Sequence, residues 1–300
     1  QWNMTRVATG DKYEVSVPSD NYTQLLELGV IPDPYYKDNE KKVEWVGRED
    51  WTYEKTFVLT PDDLNNRKVL LVCKTLDTLC DVYVNDTLVG KGENAHLKYE
   101  FDIKDIAKAG ENTLKIAFFS PTNYAEKMQK EKPIPKNCNG TDGAAYIRKP
   151  HCHFGWDWGP HLPITGITDG IWVECFDNRL TDVEIKQIHK NGKVTVKINP
   201  VVDGEGEVSA KIIYPDGTEM PIENNEITIE NPELWWTREL SGKEKQPLYK
   251  VVATLGDVEF SKKIGLRTIR LDRSKDQYGT NFCFYLNDTP IFAKGANWIL

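Results

Sequence analysis

The sequence predicts an all-β protein: two β-sandwiches in series, followed by the start of a third layer of different character. Three observations predict this. Short runs rich in β-branched and aromatic residues recur along most of the 300 residues, and apolar positions alternate with polar ones inside them, as half-buried antiparallel strands require. Asn-Asp and Gly-Glu-Asn punctuate the ends of these runs, where tight turns need residues that tolerate positive φ. Helical spacing is confined to one short stretch, TQLLELG at 23–29.

In the first series the strand candidates are YEKTFVL, KVLLVCKTL, CDVYVND, TLVGKGE, HLKYEFDI and NTLKIAFF. Their spacing fits a sandwich or a jelly roll. From about Ser120 to Pro150 the periodicity fails, and PTNYAEKMQKEKPIPKNCNGTDGAAYIRKP reads as a long loop. Loops of that length inside compact domains are usually functional or disordered. GIWVECF restores order and completes the first sandwich near Asp177. A second series, TDVEIKQIHK, KVTVKINPVV, EVSAKIIYP, NEITIE, PLYKVVATL and VEFSKKIGL, suits an immunoglobulin-like sandwich, interrupted by NPELWWTREL at 231–240. Beyond Arg270, NFCFYLNDTPIFAKGANWIL reads as a hairpin and then a nearly continuous apolar strand, IFAKGANWI. A strand apolar on both faces fits a parallel sheet or a barrel covered by helices. Three layers in this order, the last cut off at Leu300, read as a fragment.

Hydrophobic residues make up 39% and charged residues 28% of the chain, the proportions of an ordinary soluble globular protein. The net charge of −8 argues against a nucleic-acid partner, because neutralising phosphates needs clustered Lys and Arg. No stretch approaches the ~20 apolar residues of a membrane span, so no membrane partner is expected. The six cysteines, Cys73, Cys80, Cys138, Cys152, Cys175 and Cys283, form no C-x-x-C pair. Cys138 and Cys152 flank a loop and are the expected disulfide in an oxidising compartment. Buried thiols are the alternative, since VLLVCK and VECF read as strand interiors. No G-x-S-x-G, P-loop or dinucleotide fingerprint occurs, so neither a nucleophilic triad nor a nucleotide cofactor is expected, and the cofactor expectation is none.

HCHFGWDWGP at 151–160 is the stretch with chemical content. A metal reading of His151, Cys152 and His153 is disfavoured, because adjacent residues rarely point at one tetrahedral ion. A pure core reading accommodates Phe154 but not Asp157, since a buried carboxylate without partners costs several kcal/mol. Sugar recognition accounts for Trp156, Asp157 and Trp158 together. Indole faces cover the C–H patches of a pyranose while a carboxylate accepts hydrogen bonds from its hydroxyls. Gly155, Gly159 and Pro160 let the backbone turn sharply.

Beyond this reading, FGWDWGP, ENPELWWTREL followed by QPLYKV, and GLRTIRLD with FCFYLNDTPIFAKGANWI resemble the β-mannosidases of glycoside hydrolase family 2, as does LLELGVIPDPYYKDNEKKVEWVGREDWTYEKTF. The resemblance implies a jelly-roll sugar-binding-like domain over 1–177, an immunoglobulin-like β-sandwich over 178–270, and over 271–300 the start of a (β/α)8 barrel. It implies removal of terminal β-linked mannose from non-reducing ends with retention, a reaction that needs two carboxylates. In the family both are glutamates on later barrel strands, so no catalytic residue is assigned here. Asn39-Glu40 and Asn225-Glu226 mimic the family's Asn-Glu pair but lie in the sandwiches, and the role is not carried over.

The resemblance makes Asp157 the candidate for gripping mannose hydroxyls, with Trp156 or Trp158 as a wall, in a loop that reaches the barrel mouth; packing the domain interface is the competing role for the two tryptophans, and one of them is expected to fill it. Asn297 and Trp298 fall where the first barrel strand would end and are further substrate-binding candidates; filling the barrel is the competing role for Trp298. The family usually has Pro where this chain has Leu300. Arg148 and Lys149 read as solvated or ion-paired. Trp235 and Trp236 match a motif that packs the second sandwich on its neighbour, and Trp45, Trp51 and Tyr53 belong to the first core. β-Mannosides are the expected partners, a homodimer is left open, and export to a periplasm or lysosome is the expected location. A free-standing carbohydrate-binding module is the alternative function.

Overall fold

The computed structural model describes residues 1–135, 140–240 and 246–298. The chain folds as two compact units, Gln1–Asp177 and Asn178–Leu300. Both are built mainly of antiparallel strands, and the all-β expectation holds.

The first unit opens with β1 (Trp2–Arg6), β2 (Lys12–Val15), β3 (Ser19–Asp20) and helix α1 (Asn21–Glu27). Helix α2 (Asn39–Val43) and a 3-10 turn at Glu44–Arg48 lead to β4 (Trp51–Leu59) and α3 (Pro61–Asn65). Then come β5 (Lys68–Cys73), β6 (Cys80–Val84), β7 (Thr87–Gly92), β8 (Tyr99–Asp102) and β9 (Gly110–Phe118). Helix α4 (Pro121–Glu131), β10 (Phe154–Trp156), β11 (Gly159–His161), β12 (Gly166–Ile167) and β13 (Ile171–Phe176) complete it. One sheet has the order β2-β1-β4-β9-β6-β7 and a second the order β13-β5-β8.

Period-two burial builds this sandwich. In β6, Cys80, Val82 and Val84 are buried while Asp81 and Tyr83 are only half-buried, and β9 repeats the pattern through Asn112, Leu114, Ile116 and Phe118. Strand β5, the middle of its sheet, is buried at every position from Val69 to Cys73. Residues of both sheets share one core with Trp51, Tyr53 and Phe118, and the Tyr53 and Phe118 rings meet edge to face at 5.6 Å. The Tyr53 hydroxyl donates to Gln24 Oε1 at 2.7 Å, and Gln24 Nε2 donates to the Ser16 carbonyl at 2.7 Å. That chain of bonds seats helix α1 on the sandwich and pairs the buried amide of Gln24 and hydroxyl of Tyr53 with each other and with the backbone. Trp45, expected in the core, is half-buried at its margin, 6.1 Å from Trp51.

Part of the loop expected over 120–150 is helix α4. Ser120 caps it by accepting from the Asn123 N–H at 3.1 Å, and Pro121 occupies its first turn. Ala125 packs against Ala144, Ile147 and Phe154. An apolar face this narrow is too thin for periodicity to reveal, although Ala, Glu, Lys and Gln are good helix formers. The expected Cys138–Cys152 pair lies outside the described residues. Cys73, in VLLVCK, is a buried free thiol as the strand reading anticipates, Cys175, in VECF, is a free thiol but only half-buried, and Cys80 is also a buried free thiol; burial raises the pKa of all three.

The second unit contains β14 (Arg179–Lys190), β15 (Lys193–Asp203), β16 (Ser209–Ile213), β17 (Glu219–Pro221), β18 (Glu226–Ile229), β19 (Tyr249–Leu255) and β20 (Val258–Ile264). Sheets β14-β15-β18 and β17-β16-β19-β20 share a core around Val183, Val196, Ile212, Tyr249 and Val251. A small antiparallel sheet follows, made of β21 (Ile269–Asp272), β22 (Cys283–Leu286) and β23 (Thr289–Ile291). Trp235 holds this sheet to the sandwich. Its indole lies where a Cβ on Gly265 would be 2.7 Å away, and its carbonyl accepts from Asn287 Nδ2 at 3.0 Å.

Two-residue turns at Asn85-Asp86 and Asn287-Asp288 carry the Asn-Asp signal read in the sequence, and two further turns contain Asn without that signal. Asn85-Asp86, Asn191-Gly192, Asn224-Asn225 and Asn287-Asp288 all have positive φ at both positions, the geometry that matches the twist of paired strands. The expected strand IFAKGANWI forms only at its start. Thr289–Ile291 pair with β22, whereas 292–298 are irregular and mostly exposed, Phe292 at 81% and Trp298 at 83%. A strand apolar on both faces needs sheet neighbours and covering helices, and no strand pairs with 292–298 among the described residues.

Candidate functional site

The stretch with chemical content folds as a tight hairpin. Phe154 pairs with His161 and Trp156 with Gly159, which leaves Asp157 and Trp158 at the tip. Gly155 has φ +91, a conformation costly for any residue with a side chain. The base is buried and the tip is open: Phe154 is 0% exposed, Trp156 40% and Trp158 52%. Asp157 is exposed, and no side chain among the described residues bonds its carboxylate.

The two tryptophans face different hollows. Trp158 borders one of about 310 Å³ with Tyr35, Pro34, Leu26, Asp20 and His153. Trp156 borders a more polar one of about 460 Å³ with Glu40, Glu44, Glu126, Arg48 and His161. Glu40 Oε1 accepts from the His161 backbone N–H at 2.8 Å, and Thr141 Oγ1 lies 2.6 Å from His161 Nε2. Arg48 donates to Glu126 Oε1 at 2.9 Å, and that bond holds the carboxyl below its ordinary pKa. Burial lowers the His161 pKa. One hollow can pack apolar sugar faces, and the other can accept hydrogen bonds from hydroxyls.

Beneath the hairpin, Lys149 is buried rather than solvated. It pairs with Asp77 at 2.8 Å, the side chains being 0% and 4% exposed. Burial pulls the Lys149 pKa down against the opposing pull of Asp77. His153 Nδ1 lies 3.7 Å from Asp77 Oδ2, and burial, aided by the nearby Lys149 charge, lowers its pKa to about 4. His151, Cys152 and His153 form one 3-10 turn, and among the described residues no cluster of His, Cys, Asp and Glu has metal-binding geometry.

Of the other sequence candidates, Asn297 and Trp298 lie in the second unit, on the irregular exposed segment. Sequence reasoning missed Tyr35, Glu44, Glu126 and Asp77 as neighbours of the hairpin, and it met Glu40 only as a chance Asn-Glu match. No local signal marks them, since the contact from Glu40 to His161 spans 121 residues.

Residues 2–169 match the family described as glycosyl hydrolase 2 galactose-binding domain-like, and residues 178–267 match glycosyl hydrolases family 2. The chain belongs to glycosyl hydrolase family 2. It is 30% identical to a probable beta-mannosidase of Caenorhabditis elegans over 95% of this chain and 35% of that protein. It is 32% identical to a beta-mannosidase B of Thermothelomyces thermophilus over 94% of this chain and 35% of that protein. The chain thus spans about a third of the length of these curated relatives. A crystal structure of beta-D-mannosidase from Dictyoglomus thermophilum superposes with a TM-score of 0.88 at 30% identity, covering 99% of this chain and 39% of that one. A Ruminococcus gnavus b-glucuronidase at 20% identity and TM-score 0.60 shares the fold.

Proposed function

We propose that this chain is the N-terminal part of an exo-acting, retaining β-mannosidase, and that hairpin 154–161 forms one wall of the pocket for the terminal mannose. The observation that carries this reading is Asp157, a carboxylate that no side chain among the described residues bonds, at an exposed tip between two half-exposed tryptophans. Beta-mannosidases among the relatives support it. An unpaired acid bonds ligand hydroxyls without first breaking a protein bond. Retaining hydrolysis needs a nucleophile and an acid/base carboxylate about 5–5.5 Å apart. On this reading neither belongs to this chain; both would come from a barrel beyond it, as would the setting for Asn297 and Trp298. Export to a periplasm or lysosome belongs to the same reading.

The test is Asp157→Ala in the full-length enzyme. Loss of a charged hydrogen bond predicts a fall in kcat/KM for a terminal β-mannoside of roughly 10²-fold. A fall of less than about threefold would remove Asp157 from the pocket. One observation favours a second reading, a non-catalytic sugar-binding module: the hairpin and both hollows lie wholly within the first unit. Calorimetry with mannose on the 300-residue chain separates the two. Binding that Asp157→Ala abolishes supports the module; absence of binding supports a pocket completed elsewhere.

A further inference from the structure

We propose that the buried Asp77–Lys149 pair positions the 154–161 hairpin by holding both of its stems to the sandwich. Its functional consequence rests on the mannoside-binding reading above, whereas the anchoring itself rests on geometry alone.

Lys149 stands on the incoming stem, five residues before Phe154. Its Nζ lies 2.8 Å from Asp77 Oδ1 and donates at 2.6 Å to the carbonyl of Ile164, which stands on the outgoing stem. One ammonium group therefore joins the two stems. Asp77 supplies the fixed end. It sits between β5 and β6, one residue after the core residue Leu76. Its backbone N–H donates to the Gly166 carbonyl at 3.0 Å, and its carbonyl accepts from the Gly166 N–H at 2.8 Å. The outgoing stem is thus held to Asp77 directly through Gly166 and indirectly through Lys149. On the incoming side, the Arg148 carbonyl accepts from the Ala95 N–H at 2.9 Å, and the Lys149 ammonium lies 5.9 Å from the Phe154 ring centre.

Charge chemistry favours positioning over plain stabilisation. A buried ion pair seldom improves on an apolar pair of equal volume, because desolvating both charges consumes the Coulombic gain. What such a pair offers is discrimination. Any displacement of a stem leaves a buried charge unpaired, so one placement is strongly preferred to its neighbours.

The Asp77→Asn/Lys149→Met double variant removes both charges together, so that neither is stranded. Hydrogen exchange on this chain is then followed by mass spectrometry. Peptides covering 154–161 should exchange at least about tenfold faster than in the parent, while those covering β4 and β9 stay within about twofold. Unchanged exchange over 154–161, or equal acceleration of β4 and β9, would overturn the proposal. If the double variant does not fold, the parent decides. Its 154–161 amides must be protected at least about tenfold over an unstructured peptide, and free exchange there overturns the anchor. In the full-length enzyme the double variant should raise KM for a terminal β-mannoside by more than it lowers kcat, the signature of a displaced binding wall. A core variant of matched stability loss, Ile116→Val, should not. Because the exchange measurement involves no sugar, failure of the mannoside reading in the Asp157→Ala test leaves the anchor standing.

Discussion

Asp157 and Asp77 dispose of the same charge in opposite ways: one keeps it in water at a hairpin tip, the other takes it into the core against Lys149. His153, next to that buried pair, gives the site a pH dependence. Its folded pKa, about 4, lies below the ordinary 6.5. Between those values the unfolded chain binds a proton that the folded chain refuses, so stability is full above pH 6.5 and falls as the pH drops. The slope is at most about 1.4 kcal/mol per pH unit, less screening by solvent at a partly exposed ring. Urea unfolding at pH 7, 6 and 5 should show this slope, and His153→Gln should reduce it, leaving the part due to His161 and His189, whose pKa values burial also lowers. Parallel slopes in the two proteins would show that His153 is not its source. At this scale the Trp-Asp-Trp tip was legible because its residues are contiguous. Lys149 was legible as a charge but not as a buried one, since its partner lies 72 positions away (149 − 77).

At the scale of elements, strands and hairpin turns were readable because both are local. Period-two burial needs only a few residues, and an Asn-Asp pair between two strands reports positive φ on its own. Helix α4 escaped because it shows the core only a narrow apolar face. Its cap gives a measurable expectation. Ser120 Oγ accepts from the Asn123 N–H and donates to the Gly47 carbonyl at 2.8 Å, with the residue 3% exposed. Ser120→Ala should cost about 1–2 kcal/mol, the usual worth of a cap, raised by the buried carbonyl left without a donor. Chemical denaturation monitored by circular dichroism checks this; a loss below about 0.5 kcal/mol would mean the cap contributes little.

At the scale of the whole molecule, the two compact units contain C-terminal segments of opposite character among the described residues. The first closes on β13, which pairs with β5 along six residues. In the second, residues 292–298 are irregular, and the large apolar side chains of Phe292 and Trp298 stand in solvent. Exposed backbone without sheet partners is where proteases act first. Brief trypsin or chymotrypsin treatment should cut at Lys294 or Phe292 before any site within the two sandwiches. Survival of 292–298 past the first cuts elsewhere would show that this segment is covered in solution.

The sequence by itself determined the two strand series, the Asn-Asp turns, the order of two sandwiches, and the Trp-Asp-Trp motif. These depend on backbone sterics and on which face of a strand is buried, both of which act over a few residues. Only the tertiary structure decided that the two tryptophans open on separate hollows, that Glu40 braces His161, and that a buried ion pair grips both stems of the hairpin. Each of those joins residues far apart in the chain. Such contacts are set by how the sheets, helices and loops pack, so no local pattern encodes them.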